Sequence, residues 1–377
     1  LPCHASFKEY LISALISPDD FDIETLPQAF AVGAELARSF AQDELGQKIV
    51  EKLFSVFSEM AIGRLFSAAD PVEAVMISGM SAISQVAKLP GKDAWPWHGK
   101  QDSDTHHPPM NMILKRVLLR DTPLFSLLSK GGTEEVALRT QAAKLLVKLS
   151  RTGALSTSAD NILIVARFVK TAEPELAEKL SRWIFEGITR KKTPFKWTCA
   201  ILFANFDGKA TLVQALVASL RAAVARMQID EAQTDVYCTL PFLPESVLPT
   251  LVWVLAKDAG EFQGLGRENS PLRSFLSFLV ENAEHASLTK SVLETLKVAE
   301  DSGNDSALTD RIRAVATHGL DQINSKIERE RWEVEELSFQ LGLPRSLFKA
   351  RKTTRSEKVL TSNPEDRMTK RIRMQAR

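Results

Sequence analysis

The chain has 377 residues, more than one compact core of ordinary size holds, so it forms either two compact domains or a long array whose repeats touch only their neighbours. Its composition, 44% hydrophobic and 25% charged, excludes a wholly disordered chain, and charges such as Asp207 and Lys209 interrupt every long apolar segment, which excludes a membrane span. The formal net charge of +1 conceals a division: residues 345–377 carry 11 Lys or Arg against Glu357, Glu365 and Asp366, a net of +8, and the rest of the chain is left at −7.

Residues 7–16 read as a short opening helix, closed by Ser17-Pro18-Asp19-Asp20. Residues 25–41 form a second, with Leu26, Phe30, Ala34, Ala37 and Ala41 on one side, and Asp43 caps a third carrying Ile49, Leu53, Val56, Phe57 and Met60. A fourth starts at Asp70-Pro71, where Pro suits the first helical position, and runs to Leu89. Residues 91–109 break the pattern with Trp95-Pro96-Trp97 and His106-His107-Pro108-Pro109, a long loop. Residues 112–119 and 123–128 are short helices, and Gly131-Gly132 leads into the clearest stretch, residues 132–150.

There Thr133 suits an N-cap, Glu134 and Glu135 stand in the positive first turn, and Lys144 and Lys148 lie towards the negative end. Leu138, Ala142, Leu145, Leu146 and Leu149 follow at steps of three and four, giving one apolar stripe with Arg139, Gln141, Lys144 and Lys148 off it. Gly153 stops the helix. Residues 162–169 are apolar on nearly every side and are expected to be buried. Pro174 starts a helix carrying Leu176, Leu180, Trp183 and Ile184, which ends in the turn Arg190-Lys191-Lys192-Thr193-Pro194. Residues 195–203 follow, and Asp207-Gly208 breaks the chain before Leu212, Leu216, Leu220 and Val224. Helices at 244–256, 270–283, 288–299 and 307–336 complete a series with no strand pattern, with loops at 264–266 and 302–305.

The acidic start, Val136, Arg139, paired Ala142-Ala143 and Leu-rich finish resemble the second helix of a HEAT or armadillo repeat, and so do Val72, Val75 and Ala82 in the fourth helix. The better-marked starts, Glu134, Pro174, Lys209, Glu245 and Ser287, lie 40, 35, 36 and 42 residues apart, the length of one helical hairpin in such an array. The resemblance implies an all-α fold, a right-handed superhelix of stacked helical hairpins of the HEAT/armadillo-like α-solenoid kind. The expected organisation is an N-terminal helical layer at 1–90, an irregular loop at 91–110, a helical-repeat array at 111–340 and a basic, largely disordered tail at 341–377. Residues do not recur at fixed offsets, so a non-repeating all-helical fold stays open.

Residues with catalytic or metal-binding chemistry do not form recognisable sets. The loop stretch from Asp102 to His107 gathers carboxylates and imidazoles, but adjacent His residues do not face one metal as an i, i+4 pair does, so no metal site is expected. Cys199 beside Trp197 and Cys238 beside Tyr237 have no motif context and read as core thiols. With Cys3 they are odd in number and far apart, which fits neither a disulfide framework nor a zinc ribbon and points to a reducing compartment. Phosphate-loop, nucleophile-elbow, zincin and dinucleotide motifs are missing, so no catalytic residue and no cofactor is expected. The chain opens on Leu1 rather than Met, as a fragment or processed product would, with no visible signal peptide.

Interaction chemistry is better represented. Trp95 and Trp97 either anchor a partner or fold back over the edge of the array. Arg190, Lys191 and Lys192 make a basic turn that either meets phosphate or acidic peptides or is simply solvated. In the tail, Lys349, Arg351 and Lys352 form one basic cluster and Lys370, Arg371 and Arg373 a second, separated by 17 residues. This pattern resembles a bipartite nuclear localisation signal read by an import receptor; its rivals are a nucleic-acid contact through counterion release and a solubilising tail. Thr353, Thr354 and Ser356 lie in a context that basophilic kinases accept. The whole implies a non-catalytic scaffold that joins other protein subunits in a larger nuclear assembly, with no membrane contact. Two alternatives remain: a nucleic-acid-associated factor that uses the tail, and an enzyme with an unrecognised helical active site. Without a functional localisation signal the chain is expected to be cytoplasmic.

Overall fold

The computed structural model describes residues 25–41, 44–61, 71–88, 109–128, 130–152, 157–230, 243–334 and 343–349, without the side chains of 224–230. Among them the chain is all-α, as its periodicity predicts, with short 3₁₀ turns and one isolated antiparallel bridge between Asp301 and Phe348. It divides into two compact units, Leu1–Thr157 with Lys192–Pro194, and Ser158–Lys191 with Phe195–Arg377. The expected helix at 7–16, the loop at 91–108 and the stop at Gly153 lie outside the described residues.

In the first unit, α1 (Leu26–Ser39), α2 (Glu44–Ala61) and α3 (Val72–Val86) pack on one another around Phe30, Phe57, Met60 and Met76, each nearly or wholly buried. Gly79 sets how closely they approach: a Cβ there would lie 2.8 Å from Phe57 and 3.3 Å from Phe30. α4 (Met110–Leu119) ends where Arg120 turns left-handed at φ 59°, and the 3₁₀ turn Pro123–Ser126 follows. α5 (Thr133–Thr152) then packs on both α3 and α4.

Contact on two sides explains why α5 departs from a single apolar stripe. The predicted stripe is fully buried, but so are Ala143, Val147, Thr140, Ser150 and Glu135. The cap also differs. Thr133 already lies within the helix, and the Gly132 carbonyl accepts the first helical hydrogen bond, from Val136 at 3.1 Å.

In the second unit, side chains cap the helix starts that the sequence marks. Ser158 accepts from the Asn161 N–H at 3.2 Å ahead of α6 (Ala159–Thr171), and Pro174 occupies the first position of α7 (Pro174–Thr189). A 3₁₀ turn, Phe195–Trp197, runs into α8 (Thr198–Phe203), followed by α9 (Lys209–Asp230). A second 3₁₀ turn, Pro244–Val247, precedes α10 (Leu248–Lys257), whose residues before Lys257 are all buried. α6 packs on α8 and α10, α7 on α8 and α9, and α9 on α12 (Pro271–Leu279).

Three boundaries differ from the sequence reading. Asp258 caps an additional short helix, α11 (Ala259–Gln263), by accepting from the Glu261 N–H at 3.1 Å. The helix expected at 270–283 stops at Leu279, because the Asn282 side chain accepts from the His285 N–H at 2.8 Å and starts α13 (Ala283–Lys297) there. The last helix, expected to reach residue 336, is α14 (Ser306–Glu330), closed by Arg331 in the left-handed region at φ 53°. α13 and α14 form the terminal pair, and α14 also packs on α10 and α12.

Candidate functional site

The described side chains with useful chemistry are mostly committed to holding the helices together. Glu135, almost wholly buried, accepts from the Gly131 N–H at 2.9 Å and pairs with Arg120 at 3.0 Å and Arg139 at 3.2 Å, while Arg139 also donates to the Leu118 carbonyl at 3.1 Å. One carboxylate thus fastens the end of α4 to the start of α5. The sequence shows this acid as a first-turn helix residue; its burial depends on the left-handed Arg120, which no spacing rule reveals.

The second unit repeats the device between hairpins. Arg167 of α6 bonds Asp258 at 2.6 Å, and Lys170 pairs with Glu261. Burial pushes the Asp258 carboxyl up, but the Arg167 hydrogen bond, the Glu261 N–H and the charges of Arg167 and Lys170 together hold it below its ordinary value. Arg221 of α9 bonds Glu281 at 2.7 Å, lies 3.5 Å from Glu245 and donates to the Leu279 carbonyl. Arg311 and His318 of α14 reach the carbonyls of Ala256 at 3.3 Å and Leu265 at 3.0 Å.

At the α13–α14 turn, Asp301 accepts from the Trp253 indole at 3.2 Å and the Gly303 N–H at 2.7 Å, while its own N–H donates to Thr309 at 3.0 Å. Residues 343–349 close over this turn. Leu347 and Phe348 are buried, the Ser302 N–H donates to the Leu347 carbonyl at 3.0 Å, and the Lys349 N–H donates to the Glu300 carbonyl at 2.9 Å.

The predicted interaction residues fall in separate places. Arg190 is exposed and lies 3.4 Å from Glu186; Lys191 is exposed with φ 56°; Lys192 is exposed and its carbonyl accepts from Arg151 at 3.1 Å. Lys349, first of the tail cluster, pairs with Glu300 at 2.6 Å. Trp95, Trp97, Arg351, Lys352, Lys370, Arg371 and Arg373 lie outside the described residues, as do the stretch 102–107, Cys3 and Cys238. Cys199 is wholly buried and burial pushes its thiol far up, so it is a core residue with no accessible thiolate. Among the described residues no group of His, Cys, Asp and Glu could hold a metal, and no helix is long and apolar enough to cross a membrane.

A basic ridge on α5 escaped the sequence reading as a unit. Lys144, Lys148 and Arg151 follow at steps of four and three, and no acid occurs in the helix after Glu135. That spacing was the available signal.

The family model described as "Sister chromatid cohesion protein PDS5 protein" matches residues 87–349, more than two thirds of the chain, and the match ends at the last described residue of the segment that closes over the α13–α14 turn. No curated protein matches the chain. A family match of this extent, on a chain whose described residues are all-α and whose charges tie helix to helix, places it: the chain belongs to the sister chromatid cohesion protein PDS5 family.

Proposed function

We propose that the chain is a non-catalytic helical scaffold of sister chromatid cohesion that holds other protein subunits in a nuclear assembly. The family match over residues 87–349 carries this reading. The way the described polar groups are used supports it: Glu135, Asp258, Arg167 and Arg221 are engaged in ties between helices. Helical hairpins held in this manner keep the surface of each unit in fixed register for partners.

Affinity purification of the full chain from nuclear extract tests the reading. Recovery of proteins of the cohesion machinery is the expected result. Purified chain that recovers none of them, while its helicity and melting temperature are native, overturns it.

A second reading concerns the tail, whose two basic clusters favour either an import receptor or nucleic acid. A reporter fused to residues 345–377 is expected to enter the nucleus. A reporter that stays in the cytoplasm removes the localisation role.

A further inference from the structure

Charge along α5 is sorted by position. Glu134 and Glu135 stand in the first turn, and from Val136 to Thr152 the helix carries Arg139, Lys144, Lys148 and Arg151 with no acid. Lys144, Lys148 and Arg151 share one ridge, about 10 Å long at the helical rise per residue. Lys88 lies just past the end of α3, which packs on α5, and the Arg151 guanidinium donates to the Lys192 carbonyl at 3.1 Å, which brings the backbone of a further lysine to the end of the ridge. All five belong to the first unit.

This arrangement costs the fold something. Lys148 is half-buried; burial pushes its ammonium pKa down, and Lys88, Lys144 and Arg151 push it the same way. By contrast, Lys48 and Arg182 each have an acid one turn away, Glu44 at 2.9 Å and Glu178 at 2.7 Å. Among the described residues no carboxylate pairs with Lys88, Lys144, Lys148 or Lys192. The helix dipole favours Arg151 in the last turn but does not reach Lys144, two turns earlier.

Among the described residues the ridge also lacks an apolar anchor. The exposed large hydrophobic side chains, Val32, Met112, Leu119 and Val298, all lie on other elements. Protein interfaces draw most of their energy from a few buried side-chain anchors, whereas sequence-independent nucleic-acid binding comes essentially from neutralising phosphates with cations. Duplex DNA carries one charge per roughly 1.7 Å of axis, so a ridge of this length faces several phosphates.

We propose that Lys144, Lys148 and Arg151, extended by Lys88 and Lys192, form a sequence-independent contact for the phosphate backbone of duplex nucleic acid. The contact lies on the folded body, separate from the tail, and stands whether or not the scaffold reading holds.

The test measures binding of the full chain to short DNA duplexes of unrelated sequence by fluorescence anisotropy across a salt series. The triple variant Lys88→Gln, Lys144→Gln, Lys148→Gln is expected to bind all the duplexes roughly tenfold more weakly near physiological salt and to lose about 2 to 3 from the slope of log K against log salt. Its melting temperature should stay level or rise, because the substitutions remove repulsion. Lys370→Gln, Arg371→Gln, Arg373→Gln reports the contribution of the tail separately. Unchanged affinity and slope in the ridge variant overturn the proposal. So does preferential binding of polyglutamate over DNA by the ridge, which would assign it to an acidic protein segment. Should the triple variant fail to fold, Lys144→Gln alone is expected to lower the slope by about 1, and an unchanged slope then overturns it.

Discussion

Glu245, the second residue of the 3₁₀ turn before α10, has a buried carboxyl 3.5 Å from Arg221. Burial raises its pKa above the ordinary 4.5, and its own backbone N–H and Arg221 only partly oppose this. A raised value in the fold means that folding takes up a proton. The stabilisation is complete below pH 4.5 and is lost as pH rises through the folded value. Nearby His285 has the opposite sense: burial and then Arg221 lower its pKa, against Glu281 and Glu284, so its contribution holds above pH 6.5 and is lost as pH falls through the folded value. Glu245→Gln keeps the shape and removes the ionisation. The variant is expected to be more stable than the parent at pH 8 and to show a flatter decline from acid to neutral pH. Urea unfolding at a series of pH values checks this, and a variant less stable at pH 8 would show that the ionised acid is bound to Arg221 as a net gain.

At the scale of elements, α5 is the member on which the first unit depends, because it meets α3 on one side and α4 on another. Leu146 is fully buried there. Leu146→Ala is expected to cost about 3 kcal/mol, and Leu146→Asp to unfold the unit, as read by circular dichroism and thermal melting. Periodicity made this helix legible, since Leu138, Ala142, Leu145, Leu146 and Leu149 repeat at helical spacing. It could not show how many sides are covered, because burial of Ala143 and Val147 depends on the packing of other helices. The break at Val280–Asn282 was hidden for another reason: no Gly or Pro marks it, and an Asn cap decides it. Likewise, residues 326–336 are good helix formers, yet α14 ends early where the Trp332 N–H bonds the Ile327 carbonyl at 3.1 Å beyond the left-handed Arg331.

Across the whole molecule, the division between a mildly acidic body and a basic end was plain from composition, and the all-helical class from pattern. The sites were less legible, because charges that look solvated in sequence, such as Arg167 and Arg221, become ties only when partners 91 and 60 residues away arrive. The same holds at residue 349, where the first lysine of the tail cluster is held by Glu300. Phe348→Ala is expected to destabilise the second unit by roughly 3 kcal/mol. Amide hydrogen exchange should then rise first at Ser302 and Lys349, whose N–H groups make the closing bonds.

The closing segment also has a consequence for how the protein is made. Lys349 and Glu300 are 49 residues apart, so their pairing is a non-local contact formed against loop-closure entropy. During synthesis, α10, α13 and α14 emerge first, and the α13–α14 turn stays unsealed until the chain has been extended through Lys349. A ribosome that stalls before Pro344 therefore leaves a nascent unit with the cover over Asp301 missing and the Ser302 amide open to water.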